Sequence, residues 1–194
     1  MSNQAQREFF SRIGGHPALD LVNTVEWRLS PARRVDDVDG YEDILRWAGQ
    51  LELMSTEDGE VLRRTAARAG AAAAEEFERV RALREDLYAT LFDGGDPAVV
   101  MLEYAEVVDG GNLARVGKSW DWDLGIDLTL PRRRIALEAF DLLTASNLSL
   151  LSQCQDAECG WVFLDTSPRH NRRWCVAADC GNRNRARDFY RRAR

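Results

Sequence analysis

Four cysteines, Cys154, Cys159, Cys175 and Cys180, are all the thiols of this 194-residue chain, and they fall within one 27-residue window. They form two near-copies, Cys154-Gln-Asp-Ala-Glu-Cys159-Gly160 and Cys175-Val-Ala-Ala-Asp-Cys180-Gly181, sharing Cys, Ala, acid, Cys and Gly at matching offsets. Four thiolates close a tetrahedron around Zn²⁺ and leave no open position for catalysis, so one structural zinc ion is the expected cofactor. Each Cys-Gly step is expected to take positive φ, turning amide N–H groups toward sulfur while both sulfurs of a pair face one ion. Residues 1–15 carry Arg7, Glu8 and Arg12 where an export signal would be apolar. In a reducing compartment such clustering favours metal over disulfides. Two alternatives stay open: buried cysteines without a ligand role, and His170 replacing one cysteine, although its place in a turn favours solvent or phosphate.

The segment between the pairs reads as strand 161–164, turn 166–171 and strand 172–174, with Trp161 and Trp174 in the hairpin core. A helix should follow Cys180, because Ala186, Phe189, Tyr190 and Ala193 share one face. Knuckle, hairpin, knuckle and helix describe a treble-clef finger. Such a small unit needs its metal for much of its folding free energy. Beside the apolar face Arg183, Arg187, Arg191 and Arg194 form a stripe, and Arg169, Arg172 and Arg173 flank His170. Residues 168–194 hold nine arginines and two aspartates, so the segment stays positive even with the −2 of a tetrathiolate zinc centre. Arg169, His170, Arg172, Arg173, Arg183, Arg187 and Arg191 are therefore candidate nucleic-acid contacts, with DNA favoured and RNA open. A solvated helix face, or a dock for the acidic remainder of the chain, is the competing explanation.

That remainder is strongly acidic. Of a net charge of −6, residues 151–194 contribute nine arginines against five acids, and residues 1–150 contribute 17 basic against 27 acidic groups. Lys118 is the only lysine, so arginine enrichment is chain-wide and says little by itself. With 45% hydrophobic and 30% charged residues the composition is that of a packed globular protein. No run reaches the roughly 18 apolar residues of a membrane span, which excludes a membrane partner and points to the cytoplasm.

The elements that must position these groups follow from periodicity. Residues 16–28 suit a short strand, or a strand running into a helix, with Leu19, Leu21 and Val25 inward. A helix from Tyr41 carries Ile44, Leu45, Ala48 and Leu51. Ser55 and Asp58 can cap a second one reaching about Ala69. Residues 71–91 place Phe77, Val80, Leu83, Leu87 and Leu91 on one side. Asp96-Pro97 should open a helix over 98–108. Residues 112–130 alternate as a β-hairpin. A final body helix, from Pro131 to about Gln153, offers Ile135, Leu137, Phe140, Leu143 and Leu148 for burial. The fold class is α+β: a mainly helical domain over 1–150 with a small hairpin, then a zinc unit over 151–194.

Cys180-Gly181-Asn182-Arg183, preceded by Trp161-Val-Phe-Leu-Asp165 and Arg169-His-Asn-Arg-Arg-Trp174-Cys, resembles the CGNR-type zinc finger. Leu19-Asp20-Leu-Val-Asn23-Thr24 with Arg28 is similar to the opening of the ABATE domain that accompanies this finger in bacterial stress-response transcription regulators. The resemblance implies a mixed α/β regulatory body and a treble clef that binds DNA, with Cys154, Cys159, Cys175 and Cys180 as ligands. Asn23, Thr24 and Arg28 are candidates to hold a small anionic or polar effector. Asn and Thr beside a strand also commonly satisfy local backbone groups.

The leading expectation is a zinc-dependent regulator that binds nucleic acid, with the body sensing a ligand or partner. A zinc-stapled protein-interaction module without nucleic-acid binding is the alternative. An enzyme is not expected: there is no Gly-rich phosphate loop, no nucleophile elbow and no His-Glu-x-x-His, and only two histidines are present. Self-association stays open, through the hairpin edge or an Ala-rich helix.

Overall fold

A computed structural model describes residues 9–193. The expectations about an export signal over residues 1–8, and about Arg194 in the arginine stripe, lie outside the described residues. In chain order the elements are α1 (Pro17–Val22), β1 (Val25–Glu26), β2 (Val35–Asp36), α2 (Tyr41–Gln50), α3 (Thr56–Arg68), α4 (Gly70–Phe92), α5 (Ala98–Gly110), β3 (Asn112–Val116), β4 (Ser119–Asp123), α6 (Leu130–Thr144), β5 (Leu151–Gln153), β6 (Val162–Leu164) and α7 (Asn182–Arg192). The fold is α+β, with each strand pair antiparallel. Two compact units form among the described residues, one of residues 38–145 and one joining residues 9–37 with residues 146–193. The unit that holds the cysteines thus recruits the N-terminal segment.

In the helical unit, local chemistry sets the element ends. Ser55 caps α3 in the anticipated box: its hydroxyl accepts from the Asp58 N–H at 3.0 Å and the Asp58 carboxylate accepts from the Ser55 N–H. Asp96 does not cap α5. The helix begins behind Pro97, and the Asp86 carboxylate on α4 accepts the Val100 N–H instead. The alternating run after α5 forms a shorter hairpin than periodicity implies, because Gly125 takes φ +67° and Asp127 caps Thr129. Helix α6 ends at Thr144, short of Gln153: Asn147 accepts the Ser149 N–H and starts a 3₁₀ turn over Leu148–Leu150, offering the backbone a local alternative to helix.

The core of this unit draws Ile44, Leu45, Trp47 and Ala48 from α2, and Leu62 from α3. From α4 come Phe77, Val80, Leu83 and Leu87. The buried stripe of α6 is rotated from the anticipated one: Arg132, Ile135, Ala136, Ala139 and Leu142 face inward, while Leu137, Phe140 and Leu143 are half-buried and Leu148 is exposed. The rotation follows from Arg132. It is buried and meets Glu76 of α4 at 2.6 Å and Glu106 of α5 at 3.0 Å, with Glu103 of α5 also bonded to it. Arg79 on α4 joins Glu103 at 2.9 Å and Glu106 at 2.6 Å. Helix α5 in turn buries Glu103 and leaves Met101, Leu102 and Val108 exposed.

In the cysteine-bearing unit, α1 is a helix where the sequence left helix and strand unresolved. His16 Nδ1 accepts the Ala18 N–H, Pro17 fits the first turn, and every residue from Ala18 to Val22 is buried. Asp20 is buried among them. Loss of hydration drives its carboxyl up to about 6, opposed by the Gly14 N–H it accepts at 2.7 Å and by the Arg12 charge.

Strand β6 does not pair with residues 172–174 as the hairpin expectation has it. On one side it pairs with β5, in the register Leu151↔Leu164, Ser152↔Phe163 and Gln153↔Val162. Further bonds come from the N-terminal segment: the Leu164 N–H donates to the Gly14 carbonyl at 2.8 Å, and Val162 is held by the Asn23 side chain. Residues 172–174 run along the first cysteine turn, with the Gln155 N–H donating to the Arg173 carbonyl at 2.9 Å. The apolar face assigned to the last helix is not buried either: α7 has no buried residue, and Phe189 and Tyr190 are each 69% exposed.

Candidate metal centre and its basic helix

The first cysteine turn joins β5 to β6. Asp156 shapes it, its carboxylate accepting the Glu158 N–H at 3.0 Å and its carbonyl the Cys159 N–H at 3.1 Å. Gly160 then takes φ +75°, and a Cβ there would stand 2.8 Å from that of Arg28. The second turn is not equivalent. Residues Ala177–Gly181 form a widened helical turn that runs straight into α7, and Gly181 has helical φ −63°. Space rather than conformation favours glycine there, since a Cβ would approach the Trp174 ring at 3.0 Å.

These two turns bring Cys154, Cys159, Cys175 and Cys180 together. All four are buried and their sulfurs lie within 4.8 Å of one another. Cys159 Sγ is 3.6 Å from Cys175 Sγ, which is 3.4 Å from Cys180 Sγ. A tetrahedron with zinc–sulfur bonds of about 2.3 Å has edges of roughly 3.8 Å, so the donor set matches the ion in number, chemistry and spacing. Hydrogen bonds from Cys159 and Cys175 pull the Cys154 thiol down, helped by the backbone N–H groups of Cys175 and Asp156. Cys159 and Cys175 are pushed up, chiefly by that same Cys154 interaction. Adjacent thiolates repel one another, and a divalent cation stabilises all four together. The Trp161 N–H toward Cys159 is the expected amide–sulfur contact of the first turn.

The candidate arginines divide sharply. Arg183 and Arg187, on the stripe expected to meet phosphate, turn toward the first cysteine turn. Arg183 Nε donates to the fully buried Asp156 carboxylate at 2.9 Å, and Arg187 Nη1 reaches it at 3.4 Å while Nη2 pairs with Glu158. Asn184 adds a bond to Asp156 at 2.8 Å. Burial alone would raise the Asp156 carboxyl; the Glu158 N–H and the two guanidiniums reverse that and hold it below its ordinary range. Arg172 donates to the carbonyls of Trp174 at 3.1 Å and Cys175 at 2.6 Å, and its guanidinium lies 3.9 Å from the Phe163 ring centre. Arg173 bonds Gln155 at 2.7 Å. His170 is exposed at φ +46°, its Nδ1 against the Asp165 carbonyl, and Arg169 beside it is exposed. Arg191 is 79% exposed, 3.6 Å from Asp188.

Asn23, Thr24 and Arg28 are buried and address the backbone. Asn23 Nδ2 donates to the Val162 carbonyl at 2.9 Å, and its Oδ1 accepts the Val162 N–H at 2.8 Å. The Thr24 hydroxyl donates to Leu21 and the Arg28 guanidinium to Val22. The Arg28 N–H donates to the Cys159 carbonyl at 2.9 Å. These side-chain bonds run to backbone groups, at long range for Asn23. The Asn23 amide and the Arg28 N–H fasten the N-terminal segment to β6 and the first cysteine turn.

Sequence reasoning passed over Asp156, the buried anchor of α7, whose signal was the Arg183, Asn184 and Arg187 spacing on one helical face. It passed over Trp27, at φ +52°, whose ring carries the guanidiniums of Arg33 at 3.4 Å and Arg183 at 4.4 Å. It also passed over Arg185 and Arg192, which are exposed on α7 beside Arg191.

Two family profiles match the chain. The profile of the ABATE family, described as "Putative stress-induced transcription regulator", matches residues 15–146. That of the CGNR zinc finger matches residues 151–193 and covers all four cysteines. A comparison with curated proteins returns no match.

Proposed function

Because this chain belongs to the ABATE family and ends in a CGNR zinc finger, we propose that it regulates transcription by binding nucleic acid, DNA first, through the zinc-organised C-terminal unit. One observation carries the reading: α7 buries none of its residues and carries Arg185, Arg191 and Arg192 exposed, with the Phe189 and Tyr190 rings beside them. Arginine on an unburied helix supplies phosphate contacts, and exposed rings supply apolar contact with sugar or base. Arg169 and His170 add to the same basic character. Arg183 and Arg187 contribute through the carboxylates they hold rather than through phosphate.

The test is retention of the zinc-loaded chain on random DNA and RNA fragments across a salt series. Arg191→Ala with Arg192→Ala should weaken binding and reduce the slope of log K against log salt by up to about two phosphate contacts. Retention and slope unchanged in the double variant would refute the reading. The exposed Phe189 and Tyr190 also favour the alternative of a protein-binding module. Stoichiometric capture of one protein after nuclease treatment, with no nucleic acid retained, would establish that instead.

Sensing belongs, on this proposal, to the helical unit. There an open cavity of about 330 Å³ is lined by Glu52, Ser55, Asp58, Asp121, Arg134 and Glu138 among others, a size near the lower end for small-molecule sites. A panel of small polar compounds should raise the unfolding temperature of the wild type but not of Arg134→Ala. A stabilisation equal in both proteins removes the effector site from this cavity.

A further inference from the structure

We propose that Arg183 is a positioning residue of the metal centre, supplying the thiolate cluster with its counter-charge and tying both cysteine turns to Trp27, in place of contacting nucleic acid. Each guanidinium nitrogen has its own partner. Nε donates to Asp156 in the first turn at 2.9 Å, Nη1 to Asp179 in the second at 2.8 Å, and Nη2 to Cys180 Sγ at 2.9 Å. The cation also lies 4.4 Å from the Trp27 ring centre, where the N-terminal segment meets the cluster. The side chain is 22% exposed, and two of its three donors meet the buried Asp156 and Cys180.

The chemistry follows from charge. Four thiolates around a divalent ion leave −2 in a buried site. A charge-assisted N–H···S bond draws electron density from one sulfur and eases repulsion among the four. A planar fork is needed to meet a carboxylate, a second carboxylate and a sulfur at once; lysine keeps the charge and loses the fork. Asn182 and Arg185, the neighbours on either side of the Arg183–Asn184 pair, bond elsewhere, to the Ala178 and Ala177 carbonyls.

Competition of the zinc-loaded full chain against a chromophoric chelator tests this. Arg183→Ala and Arg183→Gln should lose zinc about 10–100-fold more readily than wild type, Arg183→Lys by an intermediate factor, and Arg192→Ala not at all. In the cobalt-substituted protein the sulfur-to-metal charge-transfer band should move to longer wavelength in the Arg183 variants, because the sulfur loses its donor. A general loss of packing would not move that band selectively. If Arg183→Ala and Arg183→Gln fail to fold, Arg183→Lys decides. Zinc retention and a cobalt spectrum matching wild type in the folded variants would overturn the proposal. Because Arg191 and Arg192 carry the nucleic-acid test, the two ideas fail separately.

Discussion

Asn23 and Val162, 139 positions apart, exchange a pair of hydrogen bonds of 2.9 and 2.8 Å, so that one side-chain amide does for β6 what a neighbouring strand would do. The Arg28 N–H to the Cys159 carbonyl, and the Trp161 indole N–H to the Val25 carbonyl at 3.1 Å, continue the seam. The metal-binding unit is therefore built from both ends of the chain.

Asn23→Ala should destabilise this unit by about 2–4 kcal/mol, because it leaves the buried Val162 N–H and carbonyl without partners. Urea unfolding of the zinc-loaded protein, followed by the fluorescence of Trp161 and Trp174, measures it. Asn23→Asp keeps the acceptor and loses the donor, and should fall between. An alanine variant within a few tenths of a kcal/mol of wild type would mean that the seam holds without the amide.

Removal of zinc should loosen both ends of the chain together. After chelation, hydrogen exchange is expected to speed up in residues 151–164 and in residues 23–37 alike, while the amides of α4 and α6 keep their protection. Independent behaviour of the two segments would contradict a shared unit.

Asp20 gives the same unit a pH dependence of definite sign. Its folded-state pKa of about 6 lies above the ordinary 3.8, so the fold binds the protonated form preferentially. Ionisation then costs stability, fully above pH 6 and progressively less as pH falls toward 4. Asp20→Asn, which can still accept the Gly14 N–H, should be more stable than wild type by roughly 2–3 kcal/mol at pH 7 and by only about 1 kcal/mol at pH 4.5. Paired denaturant curves at the two pH values check this; a difference that does not change with pH would exclude Asp20 as its source.

In the helical unit, Arg132→Ala leaves Glu76 and Glu103 as buried carboxylates with one partner removed, and should cost about 3–5 kcal/mol. Arg132→Met with Glu103→Leu replaces charge by apolar volume and should recover much of that loss. Thermal unfolding of the single and double variants decides between a network that stabilises and one that merely fills space.

Much of this molecule was legible from one residue type at a time. The duplicated Cys-x₄-Cys-Gly spacing announces a four-sulfur site, because ligand chemistry depends on residue identity and local turn geometry. The Ser55–Asp58 box and the Phe77, Val80, Leu83 and Leu87 face are likewise short-range, governed by helix period and capping. What the one-dimensional pattern could not decide was partnership. Arg183 and Arg191 sit on one helix with the same side chain, yet one closes on Asp156 and a sulfur while the other stays in solvent. Which of them is inward depends on where the first cysteine turn lies, and that in turn depends on Asn23 claiming the backbone of Val162. Arg132 likewise reads as a surface cation until α4 and α5 bring three carboxylates to it. Sequence fixes which groups can bind, because valence and charge are local; tertiary structure fixes which are already bound, because a buried polar group takes whatever partner the packed chain delivers.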